Sequence, residues 1–399
     1  MSLGLIGRSP DLQRLRDDGY EVEVSKAYLL ISHVPYVTSK RQVAYGTLIS
    51  SLTLAGDVTS KPGDHVALWA GDFPCDSKGS QLVALVNNAN AKEEIRPGLV
   101  ATHSFSQKPS GGYEDYYQKM NAYVRILEGE ARVLEPNATA RTHPVVRLTE
   151  EESVFCYLDT ASSRAGIVPI TTKLERGRIA IVGLGGTGAY VLDLVAKTPV
   201  GEIHLFDGDR FLQHNAFRSP GAPSCDDLER KETKVVWFAG IYSRMRRRIV
   251  PHPNYIDETS IAELGPMDFV FLCVDKGGPK RLMVNYLVDR GIPFIDVGMG
   301  LNIQDGALGG LVRITTSTQS YHDHLAARIP YTDGEDNEYS RNIQIADMNA
   351  LNAALAVIKW KKLWGFYLDL AGEHQTVFGI STNLLTNEEP SNETNLNQS

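Results

Sequence analysis

The sequence predicts an α/β protein with a doubly wound, mostly parallel sheet, preceded by a small α+β domain. Residues 178–206 contain an apolar strand, a glycine-rich turn, a helical pattern and a second apolar strand, which is the order of a βαβ unit. Residues 20–87 contain several runs in which apolar and polar residues alternate, as in strands with one buried face. A helical pattern over residues 111–134 completes the smaller domain. The larger domain is therefore predicted to be Rossmann-like.

Length and composition narrow the class of protein. The 399 residues suffice for two or three domains, and a hydrophobic content of 42% can supply a sizeable core. A formal net charge of −8 argues against a general nucleic-acid binder. The four cysteines include no CxxC pair, which indicates a reducing compartment and predicts no zinc site. Because the chain has neither a signal-peptide pattern nor an apolar run of about 20 residues, we expect a cytoplasmic protein without a membrane partner.

A glycine-rich turn joins the first apolar strand to the helix. Its glycines are Gly183, Gly185, Gly186 and Gly188. Glycines without β-carbons let a phosphate approach the N–H groups at the helix N-terminus, where the helix dipole is positive. Asp207 and Asp209 end the second strand, where a carboxylate can accept hydrogen bonds from ribose hydroxyls. The turn therefore predicts nucleotide binding, although glycines alone fit both dinucleotide enzymes and ATP enzymes.

Polar residues after the second strand separate these two classes. In chain order they are Asn215, Arg218, Lys234 and, at the end of a third apolar strand, Asp275. This ordered set resembles the ThiF/MoeB-like adenylyltransferases, which share a fold with ubiquitin-activating enzymes. The pattern of that family is a glycine-rich turn followed by D-x-D, N-x-x-R, G-x-x-K and C-x-D. The resemblance extends from about Arg164 to Phe378.

The resemblance implies ATP- and Mg²⁺-dependent adenylation of the C-terminal carboxylate of a ubiquitin-like protein or a peptide, with release of pyrophosphate. It implies that Arg218 and Lys234 contact the phosphates and that Asp209 holds the ribose. It further implies that Asp275 handles the magnesium ion and that Asn215 positions the loop on the phosphate side. Such a site suits the reaction, because a carboxylate must attack a polyanion whose charge cations have to neutralise.

The resemblance also implies partners and a division into domains. In this family an arginine before the first strand reaches the ATP site of a neighbouring subunit, and Arg164 matches it best; a solvated linker arginine is the alternative interpretation. A homodimer and a downstream conjugating protein are therefore expected, and relatives in bacterial phage-defence systems offer an analogy for the context. We predict an α+β domain that presents the substrate or partner (1–165), an adenylation domain (166–382) and a disordered polar tail (383–399).

The sequence departs from the family pattern at three places. Lys231 stands where the family has a glycine, and Lys276 follows the C-x-D acid where the family usually has asparagine. Residues 315–345 contain no cysteine, whereas ubiquitin-activating enzymes carry a thioester cysteine there. We therefore expect an enzyme that stops at the acyl-adenylate or transfers the acyl group to a thiol elsewhere. Cys75, in a predicted exposed turn, and Cys225, in the loop beside the phosphate site, are candidate acceptors, with a plain loop cysteine as the alternative at each.

Two other functions are compatible with parts of the pattern. An NAD-dependent oxidoreductase would use the same G-x-G-x-x-G turn, with Asp207 near the ribose. Such an enzyme has no need for Asn215, Arg218 and Lys234 at these spacings. A catalytically inactive scaffold of the same fold is the third hypothesis. A basic run, RMRRR at 244–248, ends a predicted helix; we interpret it as a solvated helix end, with a dock for an acidic partner as the alternative.

Overall fold

The computed structural model describes residues 2–275, 277–331 and 343–388. The chain divides into two compact units. The first unit comprises residues 1–146 and 159–166, and the second comprises residues 147–158 and 167–399. The expected border near residue 165 therefore differs at one segment, because residues 147–158 belong to the second unit.

Two arginines of the basic run explain why this segment joins the second unit. The guanidinium of Arg247 donates hydrogen bonds to the main-chain carbonyls of Leu148 (2.7 Å) and Phe155 (2.5 Å). Arg246 is completely buried and donates to the carbonyl of Thr198 at 3.1 Å. The interpretation of the run as a solvated helix end is therefore wrong for Arg246 and Arg247, because the guanidinium of each binds main-chain carbonyls of the protein.

The first unit is an antiparallel sheet covered by helices. Its elements are α1 (Ser2–Arg8), α2 (Pro10–Asp17), β1 (Glu21–Ser25), β2 (Tyr28–Val37), β3 (Val43–Ser51), β4 (Leu54–Ala55), β5 (Val58–Thr59), β6 (Val66–Ala70), β7 (Val86–Asn88), β8 (Glu93–Arg96), β9 (Leu99–Ala101), β10 (His103–Ser106), α3 (Tyr116–Leu134) and α4 (Thr160–Arg164). The main sheet has the order β1-β2-β3-β6-β10-β7. Helix α3 buries Met120, Tyr123 and Leu127 against it, which confirms the predicted α+β class.

The second unit contains the predicted parallel sheet. Its elements are α5 (Val168–Thr171), β11 (Arg178–Val182), α6 (Gly186–Ala196), β12 (Glu202–Phe206), α7 (Gln213–Ala216), α8 (Cys225–Glu229), α9 (Lys234–Tyr242), β13 (Ile249–His252), β14 (Phe269–Leu272), α10 (Gly277–Asp289), β15 (Phe294–Gln304), β16 (Ala307–Ser317), α11 (Leu325–Arg328), α12 (Ala346–Leu363), β17 (Gln375–Gly379) and β18 (Leu384–Glu388). The sheet order is β13-β12-β11-β14-β15-β16-β17-β18. The strands from β13 to β15 are parallel and those from β16 onward are antiparallel.

Helices cover both faces of this sheet. Helices α6, α9 and α12 pack on one face, where Ile181, Leu205 and Phe271 are buried. Helix α10 and the short helix α11 pack on the other face against Val270 and Phe294. The central strands are apolar on both sides, as parallel strands in doubly wound sheets are. This confirms the predicted fold class. Like every helix in the described part of the chain, α12 lacks the combination of length and apolarity that a bilayer crossing requires.

The strand order creates a crevice at one edge of the sheet. Strand β11 pairs with β12 on one side and with β14 on the other, with Val182 opposite both Phe206 and Leu272. The connections after β11 and β14 therefore leave in opposite directions and separate at their carboxyl ends. Such a topological switch point is where open α/β sheets bind ligands.

The predicted disordered tail is partly ordered. Residues Leu384–Glu388 form β18, in which Leu384 pairs with Gly379 and Glu388 pairs with Gln375. The prediction of disorder from residue 383 is therefore wrong for this strand. The strand is held by main-chain hydrogen bonds while its side chains are all exposed, so no burial pattern marked it in the sequence. The rest of the tail, 389–399, lies outside the described residues.

Candidate nucleotide site

A pocket of about 610 Å³ lies at the switch point, inside the second unit. Among the residues predicted from the sequence, its lining contains Gly183, Gly185, Gly186, Asp207, Asp209, Arg218, Lys234 and Asp275. These residues come from the ends of β11, β12 and β14, from the loop after β12 and from the start of α9. The fold thus brings together residues that are widely separated along the chain. Gly188, Asn215 and Arg164 do not line the pocket.

Two glycines of the turn are required by close packing. Gly183 has a φ of +89°, and a β-carbon there would lie 2.6 Å from the carbonyl oxygen of Cys273. At Gly188 a β-carbon would lie 1.8 Å from the carbonyl oxygen of Gly183. Gly188 therefore allows α6 to pack closely against the end of β11. It does not itself line the pocket. The N-terminus of α6 faces the pocket through Gly185, Gly186 and Thr187, and the side chain of Asn349 packs against Gly186.

Asp207 holds the glycine turn in place. Its side chain is buried, and Oδ2 accepts a hydrogen bond from the main-chain N–H of Leu184 at 2.7 Å. Oδ1 accepts from the main-chain N–H of Asp209 at 2.8 Å. Both oxygens of Asp207, which the oxidoreductase alternative places near the ribose, are thus engaged by the protein's own backbone. Asp207 therefore connects the glycine turn to the end of β12 and shapes the pocket.

Lys234 lies between two carboxylates. Its Nζ is 2.7 Å from Oδ2 of Asp209 and 3.3 Å from Oδ2 of Asp207. Tyr255 donates its hydroxyl hydrogen to Oδ1 of Asp209. This hydrogen bond, followed by burial, raises the pKa of Tyr255 to about 12. The buried ammonium is thereby fixed at the pocket wall. Tyr255 was missed by the sequence analysis, since no motif marks the loop after β13.

The loop after β12 carries donors without partners. Asn215 is buried, and its Oδ1 accepts from the main-chain N–H of Leu212 at 2.9 Å. Within the described residues, Nδ2 of Asn215 and Nε of Arg218 are buried without a hydrogen-bond partner. Burial, with help from Arg218 and Lys234, lowers the pKa of His214. Of Asn215 and Arg218, only Arg218 lines the pocket, and its unpaired buried Nε is a donor that an anion could engage.

Asp275 lies three residues beyond the end of β14 and is exposed in the pocket. No group of three or more histidine, cysteine or acidic side chains that could hold a metal exists among the described residues. Magnesium in nucleotide sites, however, usually takes only one or two carboxylates from the protein, together with phosphates and water. Asp275 therefore fits a magnesium ion that arrives with a nucleotide.

Arg164 belongs to the first unit. It ends helix α4, and its Nε donates to the main-chain carbonyl of Asp17 at 3.0 Å. The predicted contact with a neighbouring subunit's site stays a prediction.

The cysteines differ from expectation at one position. Cys75 is buried, and burial raises the pKa of its thiol. Its backbone forms bridges with Val37 and Gln81, so the predicted exposed turn folds back onto the sheet. The expectation of an exposed thiol at Cys75 is therefore wrong. Cys225 is exposed at the start of α8, and Cys273 lines the pocket, where burial raises the pKa of its thiol.

A second charged cluster in the pocket was not predicted. Lys280, on α10, and Arg313, on β16, both contact the completely buried carboxylate of Asp296, on β15. All three are at least nine-tenths buried, and the two cations line the pocket. A signal existed at one position, because an aspartate within the apolar run IPFIDVGM needs a buried partner. Nothing in the sequence indicated which cations would supply it.

Comparison with protein families divides the chain near the border between the two compact units. The sequence model of the ThiF family matches residues 162–387, which is more than half of the chain. Residues 10–160 match a family described as a domain of unknown function, DUF6791.

Individual relatives are distant. The chain is 25% identical over 197 residues to the ubiquitin-like modifier-activating enzyme 5 of Gallus gallus, covering 46% of this chain and 49% of the relative. For the enzyme of the same name from Drosophila virilis the identity is 24%, covering 47% and 45%. The chain thus spans about half the length of the curated relatives it matches. Among solved structures, Escherichia coli MccB with MccA-N7isoASN has a TM-score of 0.47 at 18% identity, covering 58% of this chain and 72% of that one.

Proposed function

Because the chain belongs to the ThiF family, we propose that it uses ATP and Mg²⁺ to adenylate the C-terminal carboxylate of a ubiquitin-like protein or peptide, releasing pyrophosphate. The observation that carries this proposal is the convergence of Arg218, Lys234 and the glycine-rich N-terminus of α6 on one pocket at the switch point. A polyanion suits that set of donors.

Each part of the nucleotide has a matching group in this proposal. The triphosphate lies at the N-terminus of α6, where Nε of Arg218 lacks a hydrogen-bond partner among the described residues. Asp209 holds the ribose through its carboxylate. Asp275 binds the magnesium ion, which supplies Lewis-acid stabilisation of the phosphate charge. The two hydrogen bonds that Asp207 accepts from the main chain hold the glycine turn in the conformation that receives the triphosphate.

The reaction is a displacement at phosphorus. A carboxylate oxygen of the substrate attacks the α-phosphorus, the bond from that phosphorus to the bridging oxygen breaks, and pyrophosphate leaves with the electron pair. The acyl-adenylate keeps the AMP moiety. Lys234 and Arg218 act by neutralising charge on the phosphate oxygens, which is the largest catalytic contribution such a site can make.

The partners and the fate of the acyl group belong to the same proposal. The enzyme acts in the cytoplasm as a homodimer in which Arg164 reaches the partner's site, and residues 1–165 present the substrate. A bacterial conjugation system with a downstream conjugating protein is the proposed context. The reaction stops at the acyl-adenylate or continues on a thiol elsewhere. Cys225, exposed at the start of α8, stays a candidate acceptor, whereas Cys75 is buried with a raised pKa and unsuited to attack.

Nucleotide binding tests the proposal first. Titration with α,β-methylene ATP and Mg²⁺ is compared with titration with NAD, on the wild type and on Lys234→Ala. Loss of the ammonium should weaken α,β-methylene ATP binding strongly. The control is Lys197→Ala, which removes a half-exposed lysine paired with Asp193 and should bind like the wild type. Binding of NAD alone would support an oxidoreductase instead, and no binding of either nucleotide would support an inactive scaffold.

Catalysis is tested by ATP–pyrophosphate exchange. The acyl probe is a mixture of tetrapeptides with randomised sequence, either as free acids or as C-terminal amides. Exchange should require the free acids and should fall about 100-fold in Lys234→Ala, as when one charge-stabilising group is removed from an active site. Exchange that is equal with the amides would contradict attack by a C-terminal carboxylate.

A further inference from the structure

Among the described residues, the cluster of Lys280, Asp296 and Arg313 contains two cations and one carboxylate. Nζ of Lys280 is 2.9 Å from Oδ1 of Asp296, and Nη2 of Arg313 is 2.7 Å from Oδ2 of the same carboxylate. The side chains of Lys280, Asp296 and Arg313 are 4%, 0% and 10% exposed, respectively. Within residues 2–275, 277–331 and 343–388, two buried cations therefore share one carboxylate, which leaves a net charge of one positive unit.

The other partners that the structure describes for these cations are neutral groups hydrogen-bonded to Arg313. Nη1 of Arg313 donates to Oγ1 of Thr315 at 2.6 Å and to the main-chain carbonyl of Arg328 at 2.7 Å. Among the described residues, Asp296 is the acid that pairs with either cation. A buried cation without its own counter-charge destabilises a fold. A pair of one cation and one carboxylate would have no excess positive charge. An arrangement of this kind is expected where an anionic ligand supplies the missing charge.

The cluster is separate from the cations expected to bind phosphate. Arg218 and Lys234 come from the β12 side of the switch point. Lys280 and Arg313 come from the other side, beyond β14, where β15 lies two strands from β11. At the usual spacing of strands, β15 is therefore about 10 Å from β11. Both pairs of cations line one pocket, so two anions can occupy it together.

A glycine admits the guanidinium to this position. Gly298 lies opposite Arg313 in the register of β15 and β16, and a β-carbon on Gly298 would lie 2.7 Å from Nη2 of Arg313. Beside them, Nδ2 of Asn352 donates to the main-chain carbonyl of Gly298 at 3.0 Å. Oδ1 of Asn352 is buried without a hydrogen-bond partner in the described part of the chain. An unpaired acceptor next to excess positive charge suits a ligand that has both an N–H group and a negative charge.

We propose that Lys280 and Arg313 bind a carboxylate of a peptide substrate, while Oδ1 of Asn352 accepts a hydrogen bond from one of its amide N–H groups. This inference rests on the proposed function and names the chemistry that the acyl substrate must have. The carboxylate is either the C-terminal one that reacts or an acidic side chain among the last residues. In both cases the cations position the substrate beside the nucleotide and take no covalent part in the reaction.

The test uses the full chain saturated with α,β-methylene ATP and Mg²⁺. Three fluorescent tetrapeptide mixtures are titrated by anisotropy: neutral side chains with a free C-terminus, neutral side chains with an amidated C-terminus, and amidated peptides that contain one aspartate or glutamate. Preference for the first mixture identifies the reacting carboxylate as the ligand, and preference for the third identifies an acidic side chain. A wild type that binds α,β-methylene ATP but has no preference for a carboxylate overturns the inference.

Variants test the two cations. Arg313→Gln and Lys280→Gln each leave one cation paired with Asp296, so the cluster becomes neutral and the fold should persist. Each variant should raise the Kd of the preferred mixture at least tenfold and change the Kd of α,β-methylene ATP less than twofold. Lys359→Gln is the matched control, because it removes a buried lysine that pairs with Asp369 outside the pocket. The control should bind the peptides as the wild type does.

The other outcomes are also informative. Peptide affinities equal to those of the wild type in both variants overturn the inference, and an equal loss of α,β-methylene ATP binding assigns the cluster to the nucleotide instead. If one variant does not fold, the other one decides. The wild-type preference among the three mixtures decides without either variant. A wild type that binds no α,β-methylene ATP contradicts the proposed function itself, which is a distinguishable failure.

Discussion

The main-chain N–H of Leu184 donates a hydrogen bond of 2.7 Å to the carboxylate of Asp207, and this contact connects the glycine turn to the end of the neighbouring strand. Asp207 thus lines the pocket, and its carboxylate is bound chiefly by main-chain N–H groups. Its second oxygen binds the N–H of Asp209, whose carboxylate holds Lys234. The shape of the turn and the position of the ammonium therefore depend on one buried acid.

Replacing this acid should affect stability and nucleotide binding together. In Asp207→Asn the amide nitrogen cannot accept, so one of the two main-chain N–H groups loses its partner, and we expect a loss of about 1–3 kcal/mol in the free energy of unfolding. The measurements are urea unfolding and titration with α,β-methylene ATP. Asp268→Asn is the control, since Asp268 also accepts a main-chain N–H, that of Arg178 at 2.7 Å, but is exposed and does not line the pocket. Equal nucleotide affinity in both variants would contradict the role given to Asp207.

A methyl group at Gly188 should separate α6 from β11. The added β-carbon would meet the carbonyl oxygen of Gly183 at 1.8 Å, and backbone cannot move aside as a side chain can. We expect Gly188→Ala to lower the free energy of unfolding by about 1–3 kcal/mol, as overpacking does. Gly240→Ala is the matched control within helix α9, because nothing lies within 4 Å of its β-carbon. That substitution should stabilise by about 0.5–1 kcal/mol. Thermal or urea unfolding of both variants checks the opposite signs.

Arg246 should be essential for the fold of the second unit. Its buried guanidinium donates to the main-chain carbonyls of Thr198, Val200 and Arg247, and burial lowers its pKa to about 10. Arg246→Met removes all three donors and should lower the free energy of unfolding by about 3 kcal/mol or more. The exposed neighbour Arg244, changed to methionine, should alter stability by less than about 0.5 kcal/mol. Similar urea midpoints for the two variants would show that the carbonyls find other partners.

Stability should decline as the pH falls from 7.5 to 5.5. Burial is the main cause that lowers the pKa values of His103, His214, His252, His324 and His374. Folding therefore disfavours protonation of these imidazoles, so the unfolded chain binds more protons below its ordinary histidine pKa of about 6.5. By linkage the free energy of unfolding rises with pH across this window and falls on acidification. Urea midpoints measured at several pH values check the sign.

One histidine allows this pH dependence to be dissected. Nε2 of His252 is 3.0 Å from Nδ1 of His204. Burial is the largest cause that lowers the pKa of His252, and the neighbouring His204 is the second. Glu263 acts in the opposite direction and raises this pKa. His252→Gln should therefore flatten the dependence of the urea midpoint on pH between 7.5 and 5.5. Lys197→Gln, at a half-exposed site, should leave the slope unchanged. An unaltered slope in His252→Gln would assign the pH dependence to the other histidines.

Residues whose role depends on local backbone could be found from the sequence. Gly183, Gly185, Gly186, Asp209, Lys234 and Asp275 line one pocket, because each follows the end of a recognisable strand or starts a recognisable helix. Arg218 lines the same pocket from the loop after α7, where the family pattern marked it. Cys75 could not be judged in this way. A turn of polar residues is usually exposed, but this turn pairs with Val37 and folds onto the sheet. The burial of Arg246 and the hydrogen bonds of Arg247 likewise depend on main-chain carbonyls that are distant in the sequence.

The sequence by itself determined the class of fold, the strand–turn–helix at the pocket and the family resemblance, because periodicity and glycine spacing act locally along the chain. Only the tertiary structure decided that Asp207 is bound by main-chain N–H groups, that Arg246 is buried, and that Lys280 and Arg313 share Asp296. These pairings join separate strands and helices. A charged side chain carries no mark of its partner in the sequence, because the partner is chosen by the packing of elements that are remote along the chain.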